Sequence, residues 1–447
     1  MGIIALKSHL RMFRYLPRRM NGIFAVEKPK GVTSSKVVLQ LQSIFDTSDV
    51  FARDLAESKQ KVHEQLTKGT KWSASKIANR VKKTKIKVGH GGTLDPLASG
   101  VLIIGVGTGT KKLSYYLGEC TKTYETRAVL GQSTTTGDSE GEVLTRTEVD
   151  HVTLDDLKKA ARKFVGKSKQ TPPIYSALKV DGKPLYEYAR EGIPLPKAIK
   201  ARDVTVESFT VHDDFGPHPD FGPIKVVPDA EGNTVEAMLA NNPTLNDHEI
   251  YFSDEFMADP NVSDEEKNTH IKPRLVDPNT PQPESLPVFH ATATVGSGTY
   301  IRSLISDLGR AVGSSAFMVE LVRSKQSDWE LGKNVFKVTD FTERDSRIWG
   351  PVLKRVLDNG PEVLVDEEFE KVSQTLGPLL AEEKKRAAEE LKQEDQDGKK
   401  DEAEVKHGNE DEEKEKTDDN EKDVQETADL QAEKRRKIEV SAMTNEQ

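Results

Sequence analysis

The stretch Gly89-His90-Gly91-Gly92-Thr93-Leu94-Asp95-Pro96-Leu97-Ala98-Ser99-Gly100 runs directly into Val101-Leu102-Ile103-Ile104-Gly105-Val106. Four glycines and one proline in twelve residues favour a loop with backbone angles that other residues seldom adopt. The apolar run behind it reads as a strand. Asp95 is the only carboxylate of the loop and His90 its only imidazole. Asp before Pro is also an ordinary way to start a turn, and a loop histidine is common. Residue chemistry alone leaves a catalytic carboxylate and a structural turn both open.

Two further segments show strand periodicity. In Lys122 to Leu130 the less polar Tyr124, Thr126, Ala128 and Leu130 alternate with Thr123, Glu125 and Arg127, with Lys122 grouped among the polar positions. That pattern turns Tyr124 inward, as a core residue or as part of a site. Phe289, Ala291, Ala293 and Val295 alternate with His290, Thr292 and Thr294 and predict a second strand. A helix follows, with Ile301, Leu304, Ile305 and Leu308 on one face and Thr299 as the expected N-cap. Arg302 falls in its first turn, where the helix dipole disfavours a cation unless an anion compensates.

The chain has 447 residues, 65 Lys and Arg against 74 Asp and Glu, a net charge of −9, 35% hydrophobic residues and one cysteine. Cys120 alone excludes an intramolecular disulfide and a cysteine zinc cluster, and it points to a reducing compartment. The longest apolar run, Val101 to Val106, is far short of the ~20 residues of a membrane helix. No membrane partner is expected. The net charge, however, conceals its distribution. Residues 381–447 carry 24 acids, 14 bases and no aromatic residue, so they read as a solvated helix or a disordered tail. Residues 212–286 carry 16 acids and 4 bases and read as a surface insertion between two strands. What remains, 21–211 with 287–380 and the first twenty residues, is basic, with a net of +13. A positive core with acidic appendages suits a polyanion partner. Within it, Lys59 to Lys87 sets ten Lys or Arg and Trp72 against the single acid Glu64, either a solvated helix or a phosphate-contacting extension.

The glycine-rich loop closely resembles the catalytic motif of the TruB family of pseudouridine synthases. Six more blocks similar to that family follow in order. They are Lys28-Pro29-Lys30-Gly31-Val32-Thr33-Ser34, Lys122-Thr123-Tyr124-Glu125, Thr136-Gly137-Asp138-Ser139-Glu140-Gly141, Gln170 to Lys179, Tyr188-Ala189-Arg190-Glu191-Gly192, and Gly298-Thr299-Tyr300-Ile301-Arg302-Ser303-Leu304 leading to Leu321-Val322-Arg323. The resemblance implies an α+β pseudouridine-synthase fold, with a central mixed, largely antiparallel sheet flanked by helices and loops. It implies Asp95 as nucleophile, Arg302 as its charge partner, and Tyr124 stacked on the uracil and removing the C5 proton. Tyr300 and Leu321 would line the pocket, His90 would hold the RNA loop outside it, and Lys28 would contact substrate. No cofactor and no metal are implied. The implied substrate is the T-arm loop of transfer RNA at uridine 55, with messenger RNA a broader target and a monomer expected.

Where bacterial members have Cys-Ser before the Gly-Thr-Tyr-Ile-Arg block, this chain has Val295-Gly296, and a paired Arg-Arg is here Arg323-Ser324. The residues after Leu331 leave no assignable PUA domain of the kind guide-dependent relatives carry, so no guide RNA is expected. The basic extension and acidic insertion resemble the eukaryotic, fungal stand-alone type. Two rivals stand against this reading. Gly105 to Lys112 has a glycine-rich look, but a Walker A loop needs glycine before its lysine and Ser or Thr after it, where this chain has Thr110 and Lys112. The other is an RNA-binding or RNA-folding protein without catalysis. Residues 1–20, with Lys7, Arg11, Arg14, Arg18, Arg19 and no acid, have a mitochondrial targeting composition, with Met20 as an alternative start. Lys434-Arg435-Arg436-Lys437 is a cluster of the nuclear-import type. Nucleus and mitochondrion are the expected locations.

Overall fold

The computed structural model describes residues 19–191, 193–224, 249–277 and 279–407. The readings made on residues 1–18, on Gly192, on 225–248 within the insertion and on Lys434 to Lys437 lie outside these. The chain divides into two units, Met1–Leu376 and Gly377–Gln447.

A ten-stranded sheet organises the first unit. Its strands, in chain order, are β1 (Gly22–Lys28), β2 (Val88–His90), β3 (Ser99–Val106), β4 (Lys122–Leu130), β5 (Gly166–Gln170), β6 (Arg202–Gly216), β7 (Val288–Val295), β8 (Ala316–Gln326), β9 (Trp329–Glu330) and β10 (Phe336–Lys337). In space they run β10-β1-β3-β8-β4-β7-β6-β5, with β2 on β3 and β9 on β8. Only β1 with β10 and β8 with β3 pair in parallel. The sheet is therefore mixed and largely antiparallel, the α+β architecture that the sequence predicts.

Strand alternation follows burial closely. Tyr124, Thr126, Ala128 and Leu130 are buried on one face of β4, and Phe289, Ala291, Ala293 and Val295 on β7. Lys122 departs from the expectation: it is buried on the Tyr124 side, and its Nζ donates to the Cys120 carbonyl at 3.0 Å. Its long apolar stem allows a lysine to occupy an inward position when one carbonyl receives the ammonium. One hydrophobic core joins β4 and β7 to helix Leu154–Arg162 and to the helix Ile301–Ala311. A second core gathers β1, β3, Phe45 and Phe51, and helix Ser346–Asn359. There Phe45 stacks on Phe51 at 4.3 Å between centroids, and such pairs add about 1 kcal/mol beyond area burial.

Two boundaries differ from the sequence reading. β6 continues to Gly216, pairing Phe215 with Phe289, so His212 lies in a strand and the connection starts later. The returning part of the connection is also anchored: Ile250, Phe252 and Leu286 are buried. Its acidic composition masks these few apolar anchors. At the helix Ile301–Ala311 the cap is Tyr300, not Thr299, and no side chain caps it. Gln170 takes over the ordering there, its Oε1 accepting from Tyr300 N at 2.8 Å and its Nε2 donating to Tyr300 O at 3.1 Å. The basic extension forms part of two helices, Ala52–Gly69 and Ala74–Lys82.

Candidate active site

The loop between β2 and β3 is held from behind on three sides. Gly31 N donates to Pro96 O at 2.7 Å, and Ser34 Oγ donates to Leu94 O at 3.1 Å while accepting from Leu94 N at 2.9 Å. Lys28 Nζ donates to the carbonyls of Pro29, Val32 and Pro96 at 2.9, 2.5 and 3.4 Å. The Lys28-to-Ser34 block is thus the backing plate of the loop. Burial pushes the Lys28 ammonium down to about 8, with Asp95 opposing the shift. Lys28 has no exposed surface, so it braces the loop and does not meet a substrate as the sequence reading expected.

From the β8 side, Arg323 and Gln326 grip the same loop. Arg323 is buried, donating from Nε to Val101 O at 2.7 Å and from Nη2 to Gly92 O at 3.1 Å. Gln326 Nε2 donates to Gly91 O at 2.7 Å. The approach is so close that Gly100, at φ +105°, leaves only 2.3 Å between an added Cβ and the Arg323 carbonyl oxygen. A side chain there would displace backbone.

Leu94 and Leu97 anchor the loop in the first core, which leaves Asp95 between them as its outward group, with a side chain 39% exposed. Arg302 meets it: Nη2 lies 3.0 Å from Asp95 Oδ2. The guanidinium is buried and fully engaged. Nη1 donates to Thr136 O and Nη2 to Tyr175 O, both at 2.7 Å, and Nη1 stands 3.7 Å from Asp138 Oδ2. Two carboxylates therefore offset the cost of a cation in a first helical turn. Burial raises the Asp138 carboxyl above the usual range, while Arg302 and the Thr136 hydroxyl, 2.5 Å away, oppose the rise.

Tyr124 faces the same core as Leu94 and Leu321, and its Oη accepts from Arg323 Nη1 at 3.5 Å. Tyr300 is half-buried one residue before the helix that carries Arg302, its backbone fixed by Gln170. His90 ends β2 at the mouth of the loop. Burial, and then the nearby Arg323 charge, hold its pKa below the ordinary imidazole value, so it is neutral at pH 7. The structure thus brings Asp95 to Arg302 and sets Tyr124 and Leu321 on the core wall below the loop, with His90 at the rim.

Sequence reasoning missed three working residues: Asp138, Arg323 and Gln170. All three stand inside recognised blocks, but their contacts are to backbone or to residues more than a hundred positions away. Chemically, the arrangement presents one oriented, partly open carboxylate beside a desolvated guanidinium and a buried aromatic ring. That combination suits nucleophilic attack on a planar group drawn into the pocket. Among the described residues, no three His, Cys, Asp or Glu side chains converge on a metal position.

Such a site defines a cofactor-independent nucleophilic isomerase or transferase acting on a flipped base. Residues 79–221 match the family described as "TruB family pseudouridylate synthase (N terminal domain)". The chain is 47% identical over 365 residues to tRNA pseudouridine synthase 4 of Saccharomyces cerevisiae, covering 80% of this chain and 90% of that protein. It is 36% identical to tRNA pseudouridine synthase 4 of Schizosaccharomyces pombe, covering 72% and 82%. Among solved structures, a Cbf5-Nop10-Gar1 complex aligns with a TM-score of 0.36 at 18% identity, over 78% of this chain and 59% of that one. The chain belongs to the TruB family of pseudouridine synthases.

Proposed function

We propose that this chain isomerises the T-arm loop uridine of transfer RNA, the position called uridine 55, to pseudouridine, with Asp95 as the nucleophile. The observation that carries the proposal is the Asp95–Arg302 pair at 3.0 Å on a loop braced from both sides. The names of the two fungal relatives support transfer RNA as the substrate.

The target atoms are inaccessible in a stacked loop, so the base must first be extruded, at a cost of a few kcal/mol. Asp95 then attacks the ribose or the uracil ring, and the bond from C1′ to N1 breaks. The uracil turns in the pocket, C5 joins C1′, and the C5 proton leaves to a base, for which Tyr124 is placed. Asp95 is released and atoms balance without a co-substrate. Arg302 favours the ionised carboxylate throughout. The pairing needs no guide RNA. The enzyme acts as a monomer, and messenger RNA loops of the same shape are secondary targets. The composition of residues 1–20 and of Lys434 to Lys437 supports action in mitochondrion and nucleus.

The test is conversion of the T-loop uridine in an unmodified tRNA transcript, read by a pseudouridine-specific chemical assay. Asp95→Asn should abolish conversion and leave RNA affinity within about threefold. Full turnover by Asp95→Asn would refute the assignment.

A further inference from the structure

The helix pair Ala52–Gly69 and Ala74–Lys82 has no part in the site just described, and packing alone does not account for it. The first helix has eighteen residues and none is buried; the second buries only Ile77. A helix that is polar all round in a folded chain needs another reason to exist. Its root is firm. Phe51 is buried at the start, and on the return Ile86 is buried, its N–H donating to Asp46 Oδ1 and its carbonyl accepting from Gln42 Nε2, both at 2.7 Å. At ~1.5 Å of rise per residue, the first helix places Lys68, Lys71 and Trp72 about 27 Å from that root.

The surface it presents is of one sign. Of the ten Lys and Arg between Lys59 and Lys87, none stands within ion-pair distance of an acid, and the lone Glu64 is taken by the Gln60 amide at 3.0 Å. Lys76 and Arg80 follow Trp72 at helical spacing, and Lys76 Nζ lies 4.3 Å from the centroid of the exposed Trp72 ring. Unpaired cations beside an exposed aromatic plane are what nucleic-acid backbones and unstacked bases bind.

We infer that this helical hairpin is a second RNA-docking surface, which holds phosphates of the substrate outside the arm that enters the Asp95 pocket. The inference rests on RNA being the substrate. Trp72 supplies a stacking plane at the tip, and the cations supply counterion release.

The experiment compares the full chain with the quadruple variant Lys68→Gln, Lys71→Gln, Lys76→Gln, Arg80→Gln, with the corresponding Lys-to-Arg control at the three lysines, and with Trp72→Ala. Probes are an unmodified tRNA transcript, an isolated T-arm stem-loop, and phosphatidylserine vesicles. For the whole tRNA, the glutamine variant should bind about tenfold more weakly near 0.1 M salt. Its slope of log K against log salt should shrink by about 3, and the arginine control should match wild type. Stem-loop affinity and single-turnover rate should change less than twofold. An unchanged salt slope on whole tRNA, an equal loss on the stem-loop, or a loss confined to vesicle binding would each overturn the inference. Because binding is read directly, the hairpin is tested even by a wild type that leaves the loop uridine unmodified, an outcome that would sink only the preceding reading.

Discussion

Positive charge is used in two opposite ways in this molecule. Around the loop that carries Asp95, Lys28, Arg302 and Arg323 are all buried, and their donors are spent on named carbonyls and carboxylates. On the helical hairpin leading to β2, the cations between Lys59 and Lys87 are largely exposed and form no ion pair. A buried cation persists only where its partners are complete, so it acts as a geometric fixture. An exposed, unpaired one keeps its charge available to a polyanion and answers to salt. The comparison breaks if removal of a buried cation behaves like removal of an exposed one.

Arg302 is the most demanding case. Arg302→Met would strand Asp95 and leave the Thr136 and Tyr175 carbonyls without donors. Loss of one partner from a buried pair costs about 3–5 kcal/mol, and the partial exposure of Asp95 brings this toward the lower end. Single-turnover rate on the tRNA transcript should fall by two to three orders of magnitude, with the salt slope of binding unchanged. Arg302→Lys should recover little, because one ammonium cannot serve two carbonyls and a carboxylate in that plane. Recovery beyond about a tenth of wild-type rate would show that charge alone suffices there.

Arg323 tests the fixture idea away from the nucleophile. Arg323→Met removes the donors to Val101 O and Gly92 O at buried positions. Unmet buried acceptors cost about 1–3 kcal/mol each, so urea denaturation should show a loss of about 2–4 kcal/mol at unchanged m-value. A variant as stable as wild type would show that the loop holds its shape without β8.

The fold and the chemical centre were legible in the sequence because strand alternation and the glycine-rich loop are local signals. Tyr124, Ala291 and Ile305 declare their faces through spacing alone. The bracing was not legible. Lys28 looks like a phosphate ligand in sequence, and only the fold reveals that Pro96, sixty-eight positions away, lies over its ammonium. Likewise Asp138 reads as a turn residue until Arg302 arrives from the helix after β7. Contacts to backbone leave no trace in residue type, which is why Gln170 and Arg323 escaped notice. Ile250 and Phe252 were hidden for another reason, since a few apolar anchors vanish inside an acidic average.

Ser34 separates loop geometry from charge. Ser34→Ala deletes the reciprocal bonds to Leu94 and introduces no charge change. Two buried backbone groups next to Asp95 lose their partner, worth about 1–2 kcal/mol. The expected result is a single-turnover rate about tenfold lower with RNA affinity unaltered. An equal drop in affinity would place Ser34 in the RNA contact instead.

Lys28 gives the smallest effect at neutral pH and the most specific one across pH. Lys28→Met removes donors from three carbonyls but also removes a charge whose burial is costly, so the two terms oppose and stability near pH 7 should move by about 1 kcal/mol or less. The pH dependence does not cancel. The folded-state value of about 8 lies below the ordinary 10.5, so between these values the unfolded chain binds more protons than the folded one. Wild-type stability should therefore be flat in this component below about pH 8 and rise from there toward pH 10.5. The ceiling is about 3 kcal/mol, from 1.36 kcal/mol per pKa unit. Lys28→Met lacks that rise, so the difference in unfolding free energy between the two proteins should move in favour of wild type as pH increases through this window. A difference that stays constant from pH 7 to 10 would mean that the Lys28 ammonium is not desolvated, and the line between buried fixtures and solvated cations would then have to be redrawn with Lys28 on the other side.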